Sequence, residues 1–291
     1  MAVVFHVGMS FDLHTHSMVS DGTEPPAEVV AAAKRAGLRG LALTDHDTTA
    51  GWTAAIEAAQ ALQLVLIPGM EITTRTDDGI SVHLLSYLHD PAHVGLMDAI
   101  ATARGGRVER AKRICERLAE DFPITWEIVV EHVGPDATIG RPHLADAMVA
   151  VGVVADRSEA FAKYLHPGTK YYVSQENITP IEAIRLVRDA GGVPVIAHAM
   201  ASARGRTVSV PQLEQMVEAG LAGVEVWHRD NPEPGRRLLL DLAARHDLIA
   251  TGSSDYHGTG KPNRIGENSS PTSVVERIIS EATGSPAYGR L

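Results

Sequence analysis

Asp12-Leu13-His14-Thr15-His16 closes a short apolar run near the start of the chain, and its reading decides the rest. Side chains two residues apart on an extended chain share a face, so His14 and His16 aim the same way from a strand end. Outward from this stretch, six further apolar runs bounded by turn residues read as strands, at 40–44, 64–68, 82–88, 193–197, 224–227 and 248–251. Helical stretches lie between most of them; Pro25-Pro26 opens the first and Gly37 closes it. Repeated strand–helix units imply a parallel sheet, and seven strands bring it close to a closed α/β barrel.

Between residues 91 and 172 the alternation stops. A long helix is expected over 96–121, then shorter ones near 126–133, 141–151 and 157–164. Residues 10–90 and 173–291 are therefore expected to form the barrel, and 91–172 a helical insertion. The 291-residue chain is 44% hydrophobic and 21% charged, which suits an ordinary globular protein. Its single cysteine, Cys115, excludes an internal disulfide framework and a cysteine-rich zinc module, and is expected to be buried and inert in the long helix. No apolar run is long enough to span a bilayer, and the first ten residues read as a frayed extension, not a signal peptide. A cytoplasmic location without a membrane partner is expected. The net charge of −10 excludes a basic coat for long DNA or RNA.

Fourteen histidines stand beside only four phenylalanines, so histidine placement becomes the question. His46 follows the second strand in Thr44-Asp45-His46-Asp47, Glu71 the third, and His83 lies on the fourth. His198 ends the fifth, and Ser254-Asp255-Tyr256-His257 follows the last. Six histidines and two carboxylates are thus expected at or near the C-terminal ends of successive strands, the rim where barrel enzymes place their sites. Nitrogen and oxygen donors without thiolate suit manganese, zinc or iron, and eight are too many for one ion. A carboxylate such as Glu71 can bridge two ions.

These motifs, with Ser20-Asp21-Gly22, resemble the polymerase-and-histidinol-phosphatase (PHP) family over nearly the whole chain and in the family's order. The insertion and Ile139-Gly140-Arg141-Pro142-His143 are similar to its small stand-alone phosphoesterases. The resemblance implies a distorted seven-stranded barrel with two to three divalent ions, manganese first in expectation. It implies one ion on His14, His16, Glu71 and Asp255, a second on Glu71, His83 and His198, and a third position at Asp21, His46 and His257. Many relatives carry histidine where Asp21 stands, so weaker binding is expected at the third position. The reaction implied is attack of a metal-generated hydroxide on phosphorus, with His257 or His46 either protonating the leaving alkoxide or holding the third ion. Asp45 is expected to orient an imidazole, and Asp47 to cap the helix beginning near Thr49.

Substrate choice is expected from the insertion. Arg107 and Arg110 are three residues apart and share a helical face, while Arg141 and His143 open the next helix. Arginine forks match phosphate, and a helix N-terminus favours an anion, so these residues are expected to hold a second phosphate away from the reacting one. The leading expectation is a phosphatase on a small nucleotide with two phosphates, such as a 3′,5′-bisphosphonucleotide. A phosphodiesterase on a cyclic ribose phosphate or short RNA is the alternative, and a non-catalytic metal-stabilised module the least expected. His228 reads as a pocket wall; His89, His93, His132, His166 and His246 are expected on the surface.

Overall fold

The computed structural model describes residues 10–131, 133, 137–174 and 177–291. The expected frayed extension and His132 lie outside these residues. The first part runs β1 (Ser10–Thr15), α1 (Pro26–Arg35), β2 (Gly40–Leu43), α2 (Trp52–Leu62), β3 (Val65–Arg75) and β4 (Ser81–Tyr87). Helices α3 (Val94–Ala119), α4 (Trp126–Glu131), α5 (Arg141–Ala150) and α6 (Arg157–Ala160) follow, the last running into one π-helical turn at Phe161–Leu165. The alternation resumes with α7 (Pro180–Asp189), β5 (Val193–Ile196), α8 (Val210–Glu218), β6 (Gly223–Trp227), α9 (Glu233–His246) and β7 (Ile249–Gly252). A two-residue strand, β8 (Ser270–Pro271), and α10 (Thr272–Glu281) complete the chain. Among the described residues no helix is long and apolar enough to cross a membrane.

The strands form one sheet in the order β7-β6-β5-β4-β3-β2-β1-β8, a nearly closed barrel. The expectation of parallel pairing holds for β1–β2, β2–β3, β5–β6 and β6–β7. It fails at β4, which is antiparallel to both β3 and β5. The cause is a hairpin: Thr76-Asp77-Asp78-Gly79 turns the chain straight back, with Gly79 at φ 86°. β3 is also longer than expected. Its first four residues pair with β2 and Gly69–Arg75 pair with β4, so Pro68 marks a change of partner and not a strand end.

Alternation along the strands sorts the side chains. Val65, Ile67, Leu85, Tyr87, Val193 and Val195 cluster with Phe11, Leu13 and Ile249 inside the barrel, and Val275 and Ile278 of α10 join them. Leu41, Leu43 and Leu66 face outward onto α1 and α2, while Leu84, Ile196 and Val224 pack beneath α7 to α9. The register of β1 on β2 shifts between Asp12 and Thr15. Such a bulge re-aims the following side chain, which lets His14 point inward although Leu13 already does. Helices α3 to α6 share a cluster of their own, including Ile114, Leu118, Leu144 and Met148, with Cys115 buried in it.

His89 corrects a surface expectation. It is fully buried, and Ser285 Oγ donates to its carbonyl as the chain after α10 folds over it. Its Nδ1 lies 2.8 Å from Ser86 Oγ, its ring lies tilted against that of Trp52 with centroids 5.0 Å apart, and its Nε2 has no partner among the described residues. Burial pushes the imidazole down to about 4. A base depressed in the fold but ordinary when unfolded binds protons on unfolding, so stability falls as pH drops below about 6.5. At pH 5 the expected loss from this residue is roughly 2 kcal/mol relative to pH 7.5. Denaturant unfolding of metal-free protein at both pH values should show wild type losing that much more than His89→Gln; equal losses would remove His89 as the cause. His166 and His246 are exposed as expected, and His93 caps α3 by accepting from Leu96 N–H.

Candidate active site

The polar rim is organised around one carboxylate. Glu71 projects from the middle of β3, and its buried oxygens meet five imidazoles. Oε2 lies 3.1 Å from His14 Nε2, 3.0 Å from His16 Nε2 and 3.3 Å from His46 Nδ1. Oε1 lies 2.8 Å from His83 Nδ1 and 3.1 Å from His198 Nε2. Each imidazole arrives from a different place. His14 and His16 come from β1 and the residue following it, His46 from the loop after β2, and His198 from the second residue beyond β5. His83 reaches the same rim from the N-terminal end of β4, because that strand runs backward; this corrects its expected place at a C-terminal end.

Three groups could each hold an ion: His14, His16, Glu71 and Asp255; His46, Glu71 and His83; and His16, Asp21, His46 and His257. The first is as the resemblance implies. In the second, His46 takes the place of His198, whose Nε2 still lies 3.1 Å from Glu71 Oε1 and whose ring packs edge-on to His83. The third gains His16, whose Nδ1 is 3.7 Å from Asp21, while His257 Nε2 is 3.1 Å from Asp21. Asp255 Oδ1 lies 3.5 Å from both His14 and His16.

The donor set fits cations. His14 Nε2 and His16 Nε2 face each other at 3.0 Å, a spacing that a shared proton spans and at which both nitrogens could serve one ion. Glu71 Oε2, His46 Nδ1 and His257 Nε2 are buried with no hydrogen-bond partner among the described residues. Burial alone would depress His14, yet Glu71, Glu225 and Asp255 together raise it well above the ordinary imidazole value, so the pocket draws positive charge. His198 is pushed down to about 3 by burial and Arg204, and His257 to about 4 by burial and Lys261. Both are neutral lone-pair donors at pH 7.

Surrounding residues fix this array. Asp12 accepts from Ser254 N–H and Gly266 N–H, tying β1 to the loop that carries Asp255. Asp45 accepts from Ser17 and Ser20, and Ser20 Oγ is 3.4 Å from His16 Nδ1, so Asp45 acts through a serine and not on an imidazole directly. Asp47 does not cap a helix, because α2 starts too far downstream, after Gly51. Its Oδ1 instead accepts from Thr73 N–H, and its Oδ2 faces Arg107 Nη1 at 3.3 Å. Sequence reading missed Glu225, Arg204 and Lys261. Glu225 was visible as a lone charge inside the apolar strand Gly223-Val224-Glu225-Val226-Trp227. Arg204 and Lys261 reach Asp255 Oδ2 at 2.8 Å and 3.0 Å from loops with no spacing to mark them. His228 is buried against His198, with its Nε2 3.5 Å from Asp255.

Beside the rim lies a group of cations. Arg110 and Arg141 gather with Arg75 of β3 around Tyr172, and Arg107 is close enough to Arg110 and Arg141 to repel both. The Arg110 guanidinium lies 5.2 Å from the Tyr172 ring centre, and Arg141 lies 5.9 Å from it and 5.4 Å from that of Phe161. Burial and the neighbouring arginines pull Arg110 down to about 9. His143 is buried, and its Nδ1 accepts from Gly140 N–H at the start of α5.

Residues 12–99 match the PHP domain. Over 258 residues the chain is 33% identical to the 3′,5′-nucleoside bisphosphate phosphatase of Chromobacterium violaceum, covering 88% of this chain and 90% of that one. The chain belongs to the PHP family. It is also 34% identical to the 5′-3′ exoribonuclease Rnm of Salmonella typhimurium over 256 residues, 85% of each chain. A metal-dependent phosphoesterase structure from Bifidobacterium adolescentis superposes with a TM-score of 0.92 at 47% identity, covering 94% of this chain and 96% of that one. The PHP-family chain described here is thus a phosphoesterase dependent on divalent metal.

Proposed function

We propose that the protein hydrolyses a phosphomonoester of a small nucleotide bearing a second phosphate, a 3′,5′-bisphosphonucleotide being the leading substrate. The observation that carries this reading is the group of Arg75, Arg110 and Arg141 around Tyr172, with Arg107 beside it facing Asp47, the residue after His46. Buried guanidiniums crowded together repel one another, and a phosphate dianion relieves that repulsion while taking bidentate hydrogen bonds. Divalent ions, when held at the rim, would supply a nucleophile from water at neutral pH and offset phosphoryl charge. The residues' part is to hold them: His14, His16, Glu71 and Asp255 in one group, Glu71, His83, His46 and His198 in a second, and Asp21, His46, His257 and His16 in a third.

His257 is assigned to holding and not to proton donation, since an imidazole near 4 carries no spare proton at pH 7. Manganese, zinc or iron suits the donors, with manganese preferred. The cytoplasm is the proposed compartment. Two ions or more per chain are expected by elemental analysis of gently purified protein after metal is restored; one or none would end the multinuclear assignment.

A phosphodiesterase on short RNA or a cyclic ribose phosphate is the second reading, favoured by the exoribonuclease relative. Phosphate release and product analysis on bisphosphonucleotides, a cyclic ribose phosphate and short RNAs, with manganese supplied, test the choice. Preference for the bisphosphonucleotide supports the first reading, and preference for RNA or the cyclic ester overturns it.

A further inference from the structure

Glu225 is a fully buried carboxylate on β6 that touches two of the imidazole residues, His14 and His198. Its Oε1 lies 3.0 Å from His14 Nδ1 and accepts from Ser253 Oγ. Its Oε2 accepts from His198 N–H at 2.7 Å. His14 turns its other nitrogen to Glu71 and Asp255. His198 sits at φ 31°, a left-handed conformation that a side chain other than glycine adopts only when its surroundings hold it there.

We propose that Glu225 is a positioning residue for the metal site, fixing the His14 proton on Nδ1 and the His198 backbone in its left-handed turn. It rests on the assignment of His14 and His198 as ion-holding residues. A carboxylate is required by donor count: three donors converge on it, and only two oxygens without protons accept them all. With Nδ1–H engaged, Nε2 of His14 is left as a lone pair aimed into the rim, and the charged acceptor makes that lone pair more basic. One side chain thereby sets the aim of residues from β1 and β5, which meet nowhere else in sequence. Glutamine has the same shape but one acceptor oxygen, so it loses either the His14 or the His198 contact.

The test loads wild type, Glu225→Gln and His14→Ala with zinc alone, in competition with a chelator. Folding is checked by circular dichroism and melting without metal. Glu225→Gln should stay folded and hold its tightest ion about 10- to 100-fold more weakly, whereas His14→Ala should lose that ion. Nitrogen-15 NMR of the zinc-loaded wild type should show an exchange-protected proton on His14 Nδ1, a signal absent from Glu225→Gln. Unchanged zinc affinity in Glu225→Gln, or a wild-type His14 carrying no Nδ1 proton, overturns the proposal even if that variant fails to fold. If His14→Ala also keeps its tightest ion, the failure lies with the metal assignment itself.

Discussion

Replacing Glu71 with glutamine is expected to cost at least about a thousandfold in turnover, because it removes the charge that several kcal/mol of metal-based transition-state stabilisation depends on. The substitution is nearly isosteric, so its effect isolates charge and lone pairs from packing. Both Glu71 oxygens are engaged, one by His14, His16 and His46 and the other by His83 and His198. An amide keeps one acceptor and turns an NH2 group toward imidazole nitrogens that the ions need. Two ions should therefore be lost together, not one. The metal-free protein should change little in stability, since the amide can donate to the imidazoles it faces. Elemental analysis, phosphate release and a metal-free melt make the check. A Glu71→Gln protein retaining two ions and near-normal turnover would show that the rim is not organised on this carboxylate.

The rim was legible because most of its histidines and carboxylates lie at or just after strand ends in short motifs. His14 and His16 declare a shared face by their spacing alone, and Asp255-Tyr256-His257 repeats the device at the other end of the chain. What the spacing hid was direction. Pro68-Gly69 reads as a turn, yet β3 passes through it by changing partners, which leaves Glu71 inside the strand. The turn signal at Asp78-Gly79 was the clue to a hairpin, and with it to His83 approaching the rim from the opposite end. The role of Asp47 was missed for a related reason. Where a helix starts decides what an upstream aspartate can cap, and α2 begins at Trp52. The arginine group was only half legible. Arg107 and Arg110 share a helical face, but Arg75 and Tyr172 join them from β3 and from the segment before α7, and no local pattern encodes that convergence.

Arg141→Ala is expected to separate reading of the second phosphate from the chemistry at the rim. If the arginines around Tyr172 hold the phosphate that does not react, only a substrate with two phosphates uses that contact. A charged hydrogen bond of this kind contributes roughly 1.5–3 kcal/mol, so kcat/KM for a bisphosphonucleotide should fall about 10- to 100-fold. Part of the loss should appear in kcat, because binding at a remote group helps position the reacting phosphoryl. Activity on p-nitrophenyl phosphate should change little, and metal content not at all, since no arginine is a ligand. Arg141 also donates to the Leu165 carbonyl at 3.0 Å and lies over Phe161, so a melt must show that the variant remains folded. Arg141→Lys sharpens the comparison: it keeps the charge but not the planar fork, and an intermediate loss is expected where bidentate contact matters. The ratio of kcat/KM for the two substrates, in wild type and both variants, is the deciding quantity. Equal losses on both substrates, or none on either, would mean that the second phosphate is read elsewhere than in the helices after β4.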